Sequence, residues 1–137
     1  MLIQKQDYFA TLPGFLSYFA VAIALLAIFL FVYTLVTPQR EFAQVRQGNA
    51  AAATSLAGAL IGFVLPLGSV ITNSQGLLDV IVWGAVALVV QVLVFVVCRI
   101  LMPGLPKEID GGRMAPAIML AAFAVGVGVL NAACMTY

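Results

Sequence analysis

The chain has 137 residues, 64% of them hydrophobic and 8% charged, with a net charge of +1 and a mean hydropathy of +1.16. Six basic and five acidic side chains cannot wet the surface of a soluble domain this long, and no basic patch exists to neutralise phosphates. Soluble globular and nucleic-acid-binding classes are therefore excluded, and the continuous apolar runs point to membrane spans.

Backbone groups within hydrocarbon must pair inside the protein, which leaves helices or a closed barrel; runs of about 20 residues suit helices. Four such runs occur, at 14–36, 50–71, 78–101 and 114–137. They predict an all-α integral membrane fold, a single four-helix transmembrane domain over residues 1–137. The first run is longer than a signal-peptide core, carries Lys5 offset by Asp7 before it, and continues into "TPQREF" without a small-residue cleavage site. It is read as a retained helix.

The second run opens on "NAAAATSLAGALIG", with Asn49 placed to cap the helix and Ser55 to bond back to its own turn. Pro66, well inside it, predicts a freed carbonyl and a kink or an early end. The third run is bulky. Asp79 lies in its first turn, where a carboxylate suits the helix dipole, and Gln91 lies near mid-depth on a stripe with Gly84 and Ala87. A buried amide needs a partner, so an interhelical hydrogen bond is the expected role of Gln91 and, in the fourth run, of Asn131. Pro116 falls in the first turn of that fourth run, where a missing N–H costs nothing.

The connections divide by charge. Arg40 and Arg46 follow the first run; Arg99, Lys107 and Arg113 surround the end of the third; "TNSQGLLD" between the second and third has no basic residue. The positive-inside rule puts the basic loops in the cytoplasm and both termini outside.

Displacing the sequence by 64 residues aligns "FV" at 31–32 with "FV" at 95–96 and gives six identities in the fifteen pairs from Gly48 to Gly62. Helix order, loop length and loop charge recur too. Two parallel αα-hairpin units, about 14–71 and 78–137, are predicted, related by an axis near the membrane normal. In each unit a bulky helix is followed by a small-residue one. Ala51, Ser55, Gly58 and Gly62 share one face, as do Ala117, Ala121, Ala124 and Gly128. "GALIG" at 58–62 is a GxxxG motif whose counterpart is "AFAVG" at 122–126. Lipid supplies no hydrophobic drive between helices, so small residues that allow close backbone approach do the packing. Gly58, Gly62, Ala122 and Gly126 are accordingly the candidate packing residues. The second and fourth helices are expected at the centre, packed together or against another copy.

Cys98 and Cys134 fall near opposite ends of their helices, too far apart for a bridge. There is no histidine, no carboxylate lies mid-membrane, and no phosphate-loop, metal or nucleophile motif occurs. No enzyme and no cofactor are expected, and the pairs Arg40/Glu41 and Lys107/Glu108 read as solvated loop charge.

The stretches "VRQGNAAAATSLAGALIGFVLPLGSVI", "LLDVIVWGAVALVVQVLVFVVCRIL" and "IDGGRMAPAIMLAAFAVGVGVLNAACMTY" resemble the YjfL-like family of bacterial inner-membrane proteins over nearly the whole chain. The resemblance rests on the "GNAAAA" helix start, the "WG" and Gln91 of the third run, the "GG" loop and the "NAAC" ending. It implies four membrane helices and no established catalytic residues. It also implies genetic association with phage-shock-type membrane-remodelling proteins and ATP-grasp ligases, hence a role in envelope maintenance or stress.

Two functions follow from these features. One is a non-catalytic, oligomeric membrane scaffold in the lipid bilayer, docking a cytoplasmic partner on Arg40, Arg46, Lys107 and Arg113. The other is a small oligomeric channel or transporter, with Gln91, Asn131, Thr54 and Ser55 lining a polar path.

Overall fold

A computed structural model describes residues 8–37 and 41–135. Among the described residues six helices occur in order: α1 Tyr8–Val36, α2 Glu41–Arg46, α3 Ala50–Asn73, α4 Leu77–Leu101, α5 Leu105–Asp110 and α6 Met114–Cys134. Helices α1, α3, α4 and α6 are the four long apolar ones, each able to cross a membrane. Their bounds lie within two or three residues of the sequence expectation, except that α1 begins six residues early. The short α2 and α5 fall in segments expected to be plain loops.

Local chemistry accounts for the ends. Asn49 caps α3 by accepting from the Ala51 and Ala52 N–H groups at 3.1 and 3.3 Å, satisfying donors that the first turn leaves orphaned. The turns after α2 and α5 each carry a glycine in the left-handed region, Gly48 at φ +86° and Gly112 at +77°, a conformation that a Cβ disfavours. α3 runs unbroken through Pro66 to Asn73 rather than ending there. Pro66 removes only the bond to the Gly62 carbonyl, and that carbonyl lies against Gly128 of α6.

Helices α3 and α6 run in the same direction and touch along their length, Gly58 against Ala121, Gly62 against Ala124 and Gly128, and Ser69 donating to the Ala132 carbonyl at 3.0 Å. α1 and α4 are likewise parallel, with Leu25 at Gly84 and Tyr33 at Phe95. α3 occupies the centre and meets every other long helix; α4 lies beside it, while α6 packs on α3 and α4 and leaves its opposite face open. The small-residue pair thus meets as expected, but only its first member is enclosed. An aromatic cluster fills the space between α1, α3 and α4, with Phe29 stacked on Phe63 at 4.4 Å and Tyr33 edge-on to Phe95 at 5.9 Å. Such pairs add about 0.5–1.5 kcal/mol beyond their buried area.

Candidate functional site

Two places concentrate polar chemistry: the crossing of α3, α4 and α6, and the end of the bundle that carries α2 and α5. At the crossing, Gly62 presents bare backbone, and a Cβ there would meet the Gln91 amide nitrogen at 2.6 Å. Gln91 is buried and donates from Nε2 to the Ala124 carbonyl at 3.0 Å, joining α4 to α6 over Gly62. Its Oε1 has no hydrogen-bond partner among the described residues, and neither has the buried Nδ2 of Asn131. Thr54 and Ser55 turn inward on their own helix, donating to the Ala50 and Ala52 carbonyls at 2.8 and 3.0 Å.

The four candidate packing residues divide. Gly58 and Gly62 lie in the α3–α6 contact. Ala122 and Gly126 point away from it, and an added Cβ at Gly126 would meet nothing within 4 Å. On α6 the contact is made by Ala121, Ala124 and Gly128, one residue around the helix from the motif. Ala122 and Gly126 instead line an open groove of about 520 Å³ with Met119, Phe123, Val127 and Leu130.

At the other place, α2 and α5 are joined through Asn49. While its Oδ1 caps α3, its Nδ2 donates to the Ile109 carbonyl at 2.9 Å and to Gln44 Oε1 at 3.2 Å, and Gln44 in turn donates to the Asp110 carboxylate. Leu105 and Ile109 anchor α5 in the core. The platform so formed holds Arg46, Lys107 and Arg113 exposed, Arg113 lying 3.5 Å from Glu108. Arg40 lies outside the described residues.

Glu41 departs from its reading as solvated loop charge. It is 1% exposed at the start of α2, close to Tyr33, with the Thr37 hydroxyl against its carboxyl. Burial pushes its pKa up to about 8, and the Thr37 hydrogen bond offsets part of that rise. The group can therefore take up or release a proton near neutral pH. A sequence signal for it existed: 64 residues on stands Leu105, fully buried in the same position of α5. Cys98 and Cys134 are both free thiols, buried and exposed respectively. Among the described residues no group of three or more His, Cys, Asp or Glu is placed to hold a metal.

Fold and composition define a multi-pass, all-helical integral membrane protein. The chain belongs to the family described as Domain of Unknown Function (DUF350), whose profile matches residues 7–135. It is 38% identical to the UPF0719 inner membrane protein YjfL of Escherichia coli strain K12, over 93% of this chain and 96% of that one. It is 27% identical to the UPF0719 transmembrane protein YshE of Bacillus subtilis strain 168, over 85% of this chain and 89% of the relative. No solved structure matches.

Proposed function

We propose that this chain is a non-catalytic scaffold of the bacterial inner membrane, which self-assembles through its helix faces and docks a cytoplasmic partner on the α2–α5 platform. The observation that carries the reading is that platform: two loops far apart in sequence, tied by Asn49 into one surface with Arg46, Lys107 and Arg113 directed outward. The excess of basic residues supports a cytoplasmic platform with both termini on the opposite side. The relatives, one named an inner membrane protein and one a transmembrane protein, support the location. Envelope maintenance or stress, with a phage-shock-type membrane-remodelling protein as partner class, is the role the family resemblance suggests.

Two hairpin units, α1–α3 and α4–α6, underlie the assembly. Recurrence at 64 residues supports them: α2 starts at Glu41 and α5 at Leu105, α3 at Ala50 and α6 at Met114, and the left-handed glycines are 48 and 112.

The test is binding of a purified phage-shock-type peripheral protein to liposomes containing the chain. Neutralising Arg40, Arg46, Lys107 and Arg113 to Gln should reduce binding to that of lipid alone; unchanged binding refutes the docking reading. The unsatisfied Gln91 Oε1 and Asn131 Nδ2 favour a second reading, an oligomeric channel or transporter for an ion or small solute. Reproducible flux through the same liposomes, lost in Gln91→Leu, would establish it against the first.

A further inference from the structure

The two units meet through different faces. Unit one uses Tyr33 of α1, backed by Phe29, with Gly58 and Gly62 of α3; unit two answers with Phe95 of α4 and with Ala121, Ala124 and Gly128 of α6. A symmetric pair would repeat every contact with the roles exchanged. This chain makes only half of them. Phe95 is 1% exposed, whereas its counterpart Phe31 is 65% exposed. Phe29 and Tyr33 are buried, whereas their counterparts Leu93 and Val97 are 55% and 51% exposed. Gly58 and Gly62 are covered, whereas Ala122 and Gly126 line the open groove on α6. Ala121, Ala124 and Gly128 are engaged, whereas Ala57, Leu60 and Val64 on α3 are exposed or half-buried.

The contact is thus heterologous, and each copy ends with one open face of each kind. Apolar exposure alone argues nothing in lipid; what argues is that the two open faces are the counterparts of two faces already joined within the chain. Resting on the two-unit, self-assembling reading above, we infer that a second copy continues this interface. The Phe31–Leu60–Val64 face of one copy seats on the Val97–Gly126 face of the next. Leu60 and Val64 stand where unit two has Ala124 and Gly128, so the helices lie farther apart than α3 and α6 do. The larger side chains enter the groove over Gly126, where no atom obstructs them. Such an interface propagates around an axis along the membrane normal, closing into a ring when the rotation between units allows.

Disulfide trapping in membranes tests this on the full chain with Cys98 and Cys134 replaced by Ala. Copies with different tags carry Val64→Cys or Gly126→Cys, or Val96→Cys as a lipid-facing control. The expected result is a covalent dimer containing both tags when the Val64 and Gly126 variants are co-expressed. Little forms in either alone or with the control, and Gly126→Ile abolishes co-purification of uncrosslinked copies. Self-linking of the Gly126→Cys variant would overturn the heterologous register while leaving self-assembly intact, as would co-purification without mixed crosslinks. Single-copy bleaching steps in bilayers, with no crosslink at any site, would overturn both. Membrane insertion and unfolding of the Gly126 variants, followed in detergent, show that a lost dimer is not a lost fold.

Discussion

Gly62→Ala should weaken the bundle, whereas the same change 64 residues on, Gly126→Ala, should not. A Cβ on Gly62 would lie 2.8 Å from the Ala124 carbonyl carbon and 2.6 Å from Gln91 Nε2, against about 3.4 Å for ordinary contact. The Ala124 carbonyl oxygen lies nearer still, so relief requires backbone movement of about 1 Å; the obstacle on α6 is main chain, and overpacking of that kind costs about 1–3 kcal/mol. The displacement also strains the Gln91–Ala124 hydrogen bond, whose intramembrane value is about 0.6 kcal/mol and reaches about 1.7. Alanine returns up to about 1 kcal/mol of helix propensity at both sites. The balance for Gly62→Ala is a loss of about 1–3 kcal/mol, and for Gly126→Ala a change between zero and a gain of about 1 kcal/mol. Reversible unfolding in mixed micelles, dilute enough that copies are separate, reads both through helicity and the single tryptophan, Trp83. Equal midpoints for the two variants would refute the assignment of close approach to Gly62.

Glu41, with a folded pKa of about 8 against an ordinary 4.5, binds more protons folded than unfolded between those values. Stability is then full below about pH 4.5 and falls as pH rises to about 8, at up to roughly 1.4 kcal/mol per unit; Glu41→Gln should flatten that slope in pH-dependent unfolding. Asn49→Ala should cost about 1–2 kcal/mol from the lost cap and more from the lost cross-loop bonds. Asn49→Asp keeps the cap acceptor but removes the Nδ2 donor, so hydrogen exchange should rise in α5 while the start of α3 stays protected. Gln91→Leu should cost about 0.6–1.7 kcal/mol in the same micelle assay, because it removes the bond to Ala124 without leaving a buried amide unpaired. A gain in stability would mean the unsatisfied Oε1 outweighs that bond.

The spans were legible because lipid imposes a single strong rule, that backbone pairs locally and side chains are apolar, and a run of apolar residues states that directly. The N-cap at Asn49, the back-bonded Ser55 and the amide of Gln91 were legible for a related reason. Each is a polar group whose partners lie within a turn, or whose depth demands one. Glu41 was not. Its position beside Arg40 reads as surface charge, local composition does not encode how α2 folds back under Tyr33, and only the 64-residue match to Leu105 carries a signal of its burial.

On α6 the small face Ala117–Ala121–Ala124–Gly128 was legible, and only the motif counterpart Ala122–Gly126 fell outside the contact with α3. A helix rich in small residues offers several stripes of equal merit, separated by one residue or about 100°, and "AFAVG" is as good a motif as Ala121, Ala124 and Gly128. Matching motifs at equal offset assumes that the two units meet symmetrically. They meet instead with Gly62 turned towards Gly128, and Gly126 turned to the outside. The sequence repeat therefore locates both stripes, and the asymmetry of the contact decides which is used within the chain. The stripe left over retains the lack of bulk that leaves room for larger side chains such as Leu60 and Val64, at a depth in the membrane where the alternative neighbour is a disordered acyl chain. That is why Gly126, which has no packing role within the chain, is the position at which a bulky substitution should separate assembly from folding.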